Sequence, residues 1–388
     1  MFMRILLVHN FYRVPGGEDT VFRNEKALLE AHGHEVLTYT RDNRDMKPWH
    51  MLTEAVYSHK TYREVMSIIR EKKPDVVHVH NTQFLISASV FKAARDAGVP
   101  VFQTLHNFRT ICLNAMLCRD GKVCRDCCPG NGFDFKQGVT HACYRGSRIY
   151  SALSARIHEE TMRRRLYDGV NLICLTELNR KIILESGLAD EKRVFVKPNF
   201  TDFKVKKSNT RDMHKFLFLG RLDPMKGIEG IMEQWTKVPE TETLLVCGSG
   251  DADYEEKLRE KYGHVKNIRF LGGVAHDRAM EILSESAALI FSSTLLEGLP
   301  MTIIESFFTG TPVLAMDFGN GGDIVSEIYG SREPLMKNIA ELPDRIRSFE
   351  RDSEGGRYAF SADSLGNFMP DRNHEFLMEI YRKGQMGV

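Results

Sequence analysis

Short apolar runs alternate with amphipathic helical stretches almost throughout the chain, and this rhythm limits the possible fold more than any other feature. In the first half "RILLVHN", "EVLTYTRD", "DVVHVHN", "VPVFQTLHN", "NLICLT" and "VFVKPN" read as strands. They are near-continuous apolar runs, as expected when both faces of a parallel sheet are covered. Helical stretches such as "TYREVMSIIREKK" and "LISASVFKAARDAG" fall between them and end at Pro74 and Gly98. The second half repeats the pattern with "KFLFLGRLD", "TLLVCGSGD", "NIRFLGGV", "AALIFSS" and "TPVLAMDFG". Such alternation predicts an α/β fold with parallel sheets.

At 388 residues the chain exceeds what one hydrophobic core usually serves. The polar, lysine-rich "VKPNFTDFKVKKSNTRDMHK" separates the halves and reads as a linker. Two doubly wound, Rossmann-like domains facing across a cleft are expected, over residues 1–199 and 200–370, with 371–388 as a closing amphipathic helix. Open parallel sheets bind ligands outside the carboxyl ends of their strands, so facing domains would share a site there.

Charge removes one class of function. The 53 Lys+Arg nearly balance the 52 Asp+Glu, whereas a general nucleic-acid coat needs a strong basic excess. No apolar run approaches the ~20 residues of a membrane-spanning helix. The N-terminal "MFMRILLVHN" reads as a buried strand and not a signal peptide. A reducing, cytosolic compartment is therefore expected, with peripheral contact at the inner face of the membrane as an extension.

The stretch "LEGLPMTIIESFFTGTPVLA" carries the most chemistry. Pro300 suits the first turn of a helix that runs to Gly310. The backbone N–H groups within residues 299 to 302, Pro300 having none, then point out of a helix N-terminus at a strand's carboxyl end, a ready anion site. Glu305 lies about one and a half turns in, and Glu297 stands on the loop in front. Carboxylates accept hydrogen bonds from paired hydroxyls well. A solvated glutamate on each side of a turn is the plain alternative. "FLGRLDPMKGIEG" adds Arg221 and Lys226 after the first strand of the second half, two cations suited to a diphosphate. Either alone could equally be a surface cation. In the first half, Gly16 and Gly17 of "VPGGEDTVF" permit close approach of a ligand. They do not form the glycine fingerprint of dinucleotide enzymes. His106, in "QTLHNF", ends a strand and could bond a sugar hydroxyl, with His9, His78 and His80 as rivals.

Together "PGGED", "TLHN", "GRLDPMKG" and "EGLPMTIIESFFTGTPVLA" resemble the retaining family 4 (group 1) glycosyltransferases of GT-B fold, bacterial surface-polysaccharide members included. The resemblance runs from "RILLVHN" to "GGDIV". It implies a nucleotide-sugar donor, UDP- or GDP-linked, and no cofactor needed for catalysis. It would place Glu305 on the ribose hydroxyls and Glu297 on the donor sugar. The amides from Gly298 through Leu299 and Pro300 to Met301 would meet sugar and phosphate. Arg221 and Lys226 would hold the diphosphate, with Gly16 and Gly17 beside it, and His106 would meet the sugar. The loop after "IRFLGGV", at Val274, would touch the base. Leu299 stands where an aromatic is frequent, and "PNFTD" replaces the commoner "PNG-x-D". The implied mechanism is front-side substitution with retention, a phosphate oxygen taking the acceptor's proton. Two glycosidase carboxyls would instead flank one bond, about 5–9.5 Å apart.

Two segments fall outside this pattern. The insert at about 110–147 holds Cys118, Cys124, Cys127 and Cys143, which together suggest a structural zinc site. Reduced thiols are the competing reading. The stretch that follows, with Arg145, Arg148, Arg156 and Arg163–Arg165, reads as a helix with a basic face. That face is either solvated or in contact with anionic lipid headgroups or an acceptor's pyrophosphate. The expected activity is transfer of a hexose-type sugar to a glycan or polyprenyl-diphosphate-linked acceptor, in O-antigen, capsule or exopolysaccharide synthesis. A nucleotide-sugar 2-epimerase and a non-catalytic sugar-nucleotide-binding scaffold are the alternatives.

Overall fold

The computed structural model describes residues 2–13, 16–130, 132–201 and 211–386. Residues 202–210, the middle of the expected linker, lie outside it. The chain forms two units: Met1–Arg119, Cys124–Asn199 and Pro370–Val388 make the first, and Asp120–Val123 with Phe200–Met369 the second.

In the first unit β1 (Arg4–Phe11), β2 (Glu35–Asp42), β3 (Val76–Asn81) and β4 (Val101–Leu105) precede a small ribbon, β5 (Cys118–Arg119) and β6 (Lys122–Val123). Then follow β7 (Asn171–Cys174) and β8 (Val194–Val196). The main sheet has the order β2-β1-β3-β4-β7-β8, and its neighbouring strands all pair in parallel. The helices of this half are α1 (Gly17–Ala31), α2 (His59–Lys72), α3 (Ser89–Asp96), α4 (Lys136–Thr140), α5 (Arg148–Arg163) and α6 (Glu177–Ser186). β3 and β4 are buried at every position, including polar His78, His80, Asn81, Gln103 and Thr104.

The second unit contains β9 (Asp212–Leu219), β10 (Thr243–Cys247), β11 (Ile268–Gly272), β12 (Ser286–Phe291) and β13 (Val313–Ala315). Its helices are α7 (Ile228–Trp235), α8 (Ala252–Tyr262), α9 (His276–Glu285), α10 (Met301–Phe308), α11 (Gly319–Tyr329) and α12 (Leu342–Glu354). The strand order β11-β10-β9-β12-β13 is all parallel. It turns back between β9 and β12, the position where such sheets open a crevice for ligands. Phe216, Trp235, Leu244, Ile290 and Phe349 anchor its core. Burial of each such apolar side chain contributes about 1.5–3 kcal/mol.

The last helix, α13 (Pro370–Met386), belongs to the first unit. Its Leu377, Ile380 and Tyr381 join Met3, Ile5, Leu7, Phe102 and Ile173 of the first sheet in one core. No helix among the described residues is long and apolar enough to cross a membrane.

Candidate active site

The loops that follow β9, β10 and β12 are locked together through their backbones. Gly220 and Leu222 donate N–H bonds to the carbonyls of Cys247 and Ser249, each at 3.0 Å. The approach is so close that a Cβ on Gly248 would lie 1.8 Å from the Gly220 carbonyl oxygen. Gly227 has φ 74°, and a Cβ there would stand 2.3 Å from the Ser292 carbonyl oxygen. Only glycine fits such backbone-to-backbone contact. Thr294 N–H donates to the Met225 carbonyl at 2.9 Å, and Ser292 Oγ to that of Lys226 at 3.0 Å.

This docking brings Lys226 onto Glu297: Nζ lies 2.6 Å from Oε1. Ser293 Oγ donates to the same oxygen at 2.6 Å. Both charged side chains are mostly shielded, 25% and 13% exposed, and shielding strengthens such a pair relative to a surface one. Glu297 adopts φ 52°, a left-handed conformation uncommon for a residue with a Cβ. Asn320, fully buried at the start of α11, holds that loop in place. Its Nδ2 reaches the carbonyl oxygens of Leu296, Glu297 and Gly298 at 2.8, 2.9 and 3.0 Å.

Helix α10 starts one residue later than its sequence suggests. Pro300 is the N-cap, with φ −73° and ψ 96°, and no side chain caps the helix. The helix closes at Phe308, and Gly310 lies beyond it at φ 73°. Leu299 is buried. Ile303, Ile304 and Phe307 fix the inner face of α10, which leaves Glu305 14% exposed and 3.0 Å from His276 Nε2. His276 begins α9, two residues after half-buried Val274, so this contact ties the loop after β11 to α10. Arg221 stands apart from the Lys226 pair. It is 63% exposed and its guanidinium lies 3.0 Å from Asp223.

The structure thus draws Lys226, Glu297, Gly298–Met301 and Glu305 around the β9/β12 turning point of the second sheet. Asn320, Ser293 and His276 complete the arrangement, and none was singled out from the sequence. The only local signal for Asn320 is the run "GNGG" at a strand-to-helix turn, a composition that marks close backbone approach.

In the first unit Gly16 is the N-cap of α1 at φ −130°, and Gly17 opens the helix. A Cβ on Gly16 would come no nearer than 3.9 Å to a protein atom, and one on Gly17 would meet nothing within 4 Å. Neither backbone angle nor protein packing therefore calls for glycine at either position. Asp19 holds this turn, accepting from Gly16 N–H at 3.1 Å and lying 2.7 Å from His9 Nε2. Next to it Glu18 accepts from Tyr12 OH at 2.8 Å and from Asn107 Nδ2. His106, half-buried after β4, bonds inward to His80, 3.0 Å between ring nitrogens. His9, His78 and His80, its rivals on sequence grounds, are all buried.

The zinc expectation finds no support. Among the described residues no cysteine belongs to a group of three or more metal-binding donor atoms within 4.8 Å of one another. Cys127 instead packs with Leu113, Phe135 and Ala155 in a small core built on α5. Burial there pushes its thiol up to about 12. Cys-x-x-Cys spacing conveys proximity along the chain, not the burial that decides thiol chemistry. The converging Glu25, His78 and His80 donors are already occupied by a lysine, since Lys197 Nζ lies 3.0 Å from Glu25.

The basic triplet is also largely paired. Arg163 and Arg164 bind Glu160 at 2.7 and 2.6 Å, and Arg165 binds Asp168 at 2.7 Å. The other end of α5 differs. Ile149 and Tyr150 are 75% and 45% exposed, beside Arg145, which lies over the Tyr144 and Tyr150 rings. Leu153 and Tyr144 pack on a cluster containing Met51, flanked in sequence by exposed Trp49 and Leu52.

The two parallel sheets, of six and five strands, are those of the GT-B glycosyltransferases. Residues 16–199 match the glycosyl transferase 4-like domain and residues 200–359 match glycosyl transferases group 1. The chain belongs to this family: it is a retaining, nucleotide-sugar-dependent family 4 glycosyltransferase. Among its relatives is the alpha-monoglucosyldiacylglycerol synthase of Streptococcus pneumoniae, 20% identical over 97% of this chain and 86% of the relative. Another is a phosphatidylinositol N-acetylglucosaminyltransferase subunit of Arabidopsis thaliana, 23% identical over 98% of this chain and 78% of that protein. Among solved structures, HepE of Anabaena in complex with UDP shares the fold with a TM-score of 0.65. It is 16% identical, over 97% of this chain and 99% of that one.

Proposed function

We propose that the enzyme moves a hexose from a nucleotide diphosphate sugar to a hydroxyl of a lipid-linked acceptor presented at an anionic membrane, as a step in cell-surface glycan assembly. The observation that carries this reading is the 2.6 Å pairing of Lys226 with Glu297, in front of the uncapped start of α10. In the resting site Glu297 neutralises Lys226. A diphosphate entering there competes for the ammonium, and Glu297 turns to the sugar hydroxyls. Lys226, Arg221 and the amides at the start of α10 then face the leaving diphosphate, whose charge grows as the glycosidic bond breaks. Glu305 takes the ribose diol, and the loop at Val274 meets the base. Open space at Gly16 and Gly17 suits a phosphate approaching the backbone, and His106 bonds the donor sugar. With retention, the acceptor hydroxyl attacks on the face of the leaving group, and a phosphate oxygen accepts its proton. No protein nucleophile is required.

The lipid acceptor rests on two supports. Of the two relatives described above, one is named for a glycolipid that it makes and the other for a lipid, phosphatidylinositol. Exposed Trp49, Leu52, Ile149 and Tyr150, accompanied by Lys47, Arg145 and Arg148, combine apolar and basic groups as membrane-interface surfaces do. A thermal-shift panel of UDP, GDP and their sugars, followed by transfer assays on lipid-linked acceptors in vesicles, tests the proposal. Stabilisation by one nucleoside diphosphate and an α-linked lipid product from an α-linked donor are expected. Stabilisation by none, or a changed sugar released without any acceptor, would overturn it.

A further inference from the structure

A buried chain of hydrogen bonds runs from His106 into the first sheet. His106 Nε2 lies 3.0 Å from His80 Nδ1, and His80 Nε2 lies 3.1 Å from Glu25 Oε1. Glu25, on α1, also meets His78 Nδ1 at 3.0 Å and Lys197 Nζ at 3.0 Å. Lys197 is 1% exposed and donates to Asn373 Oδ1 of α13 at 2.8 Å. Asn373 is itself fixed by donating to the Pro198 carbonyl at 2.6 Å. A lysine and a glutamate this deeply buried are costly unless paired. None of the groups behind His106 has a part in the site of the second unit, so their placement needs another account.

The chemistry of the donors and acceptors settles where the protons sit. Burial disfavours ionisation of Glu25, but Lys197, His78 and His80 outweigh it and hold the carboxyl well below its usual range. Glu25 is therefore an acceptor only. His80 Nε2 must carry a hydrogen to bond it. Burial lowers His80 and keeps it neutral, so its Nδ1 is a bare lone pair. His106 Nε2 must then be the donor across the 3.0 Å gap. Burial and the neighbouring His80 also hold His106 well below its ordinary value. Its Nδ1 is left without a proton, and no described residue hydrogen-bonds it. The bond made by one ring nitrogen decides the state of the other.

We propose that Glu25, His80 and Lys197 are positioning residues that lock His106 in its Nε2–H tautomer, so that Nδ1 can only accept a hydrogen bond and selects a donor sugar bearing a neutral hydroxyl at the carbon facing it. This deepens the reading of His106 as a donor-sugar contact and rests on it. A carboxylate, as on a uronic acid, would set lone pair against lone pair at that position. A fluorine would offer no hydrogen.

The ring ¹⁵N shifts of His106 in the full-length enzyme test the relay independently of activity. Nδ1 is expected to show the downfield shift of a bare imidazole nitrogen and Nε2 the upfield shift of an N–H. His80→Asn places an amide oxygen near the former Nδ1, and should keep this signature and most of the turnover. His80→Phe should mix the tautomers and lower turnover of UDP-glucose or GDP-mannose about 10- to 100-fold, as loss of an orienting partner commonly does, with UDP or GDP affinity unchanged. Replacing donor hydroxyls singly by fluorine should expose one position whose loss matches that of His106→Ala. A proton on Nδ1 in the unaltered enzyme would overturn the relay, and so would unchanged shifts and turnover in His80→Phe. The expected shifts with full activity in His106→Ala would leave the relay standing and overturn the sugar contact.

Discussion

Lys226 and Glu305 occupy one site but are held differently, and that difference separates their expected kinetic effects. Lys226 is paired with Glu297; on the proposed reading a diphosphate displaces that pair, and the strongest contact of Lys226 forms as charge develops on the leaving group. Lys226→Ala should lower kcat about 10²–10³-fold, the usual cost of removing one such group. Glu305, on the same reading, would contact the ribose, a part of the donor that does not change during reaction. Glu305→Ala should raise the donor KM about 10- to 100-fold, as loss of a hydrogen bond to a charged group does, with kcat little altered. Steady-state kinetics on the two variants checks both, and the reverse pattern would exchange their roles. Glu25→Gln should destabilise the first unit by about 3–5 kcal/mol by stranding buried Lys197, measurable by urea unfolding. The folded Glu25 carboxyl is depressed. Its contribution is therefore present above the ordinary carboxylate range and lost as pH falls through the lower folded value. The gap between variant and parent should close only in acid. Glu297, Glu305, Arg221 and Lys226 are legible in the sequence because short loops carry them at fixed spacing. The pairing of Glu25, His80 and Lys197 is not, since their partners lie 26 to 176 residues away and nothing local records it.

At the scale of elements, the loop before α10 depends on α11. Three carbonyls of that loop converge on Asn320 Nδ2, and without it the left-handed Glu297 has less to hold it. At about 1 kcal/mol per net hydrogen bond, Asn320→Ala should cost the second unit roughly 2–3 kcal/mol and lower kcat/KM with it. Undiminished kcat/KM would mean the loop holds its own shape. The contact of α13 with α1 has a pH dependence of its own. His374 Nε2 lies 2.9 Å from His34 Nε2, and its ring stacks on His32 at 3.9 Å, with exposed Asp371 3.3 Å from His32. Burial and these two histidines lower His374 to about 4. A neutral histidine favoured by folding adds stability above its unfolded value of about 6.5, lost as pH falls through about 4. Amide exchange in α13 should quicken across that window, and His374→Gln should flatten the response. Each strand of the two main sheets falls within or across one of the apolar runs, but runs such as "TPVLAMDFG" and "KFLFLGRLD" continue past the strand ends into loops. Helix ends are less exact because caps shift them, as Pro300 shows. The cysteine insert is less legible, because spacing says nothing of the core on which Cys127 packs.

At the scale of the whole molecule, the α/β rhythm predicts two parallel sheets, and both are present. The final amphipathic stretch is legible as a helix. Its place on the first sheet depends on Tyr381, Leu377 and Asn373 meeting residues from distant parts of the chain. The proposed membrane contact also belongs to this scale. Since Arg163–Arg165 are satisfied by Glu160 and Asp168, reversing their charges should change co-sedimentation with anionic vesicles only modestly. Replacing Trp49 and Ile149 together by glutamate should abolish it. Equal losses in the two variants would point to a diffuse electrostatic attraction.

Amide hydrogen exchange of the full-length enzyme with and without the nucleoside diphosphate that stabilises it tests the donor site most directly. Protection should appear in residues 220–227, in 292–302 and in the loop at Val274, while α8 and α12 remain as they were. Protection confined to other segments, or none at saturating nucleotide, would contradict a donor site at the turning point between β9 and β12.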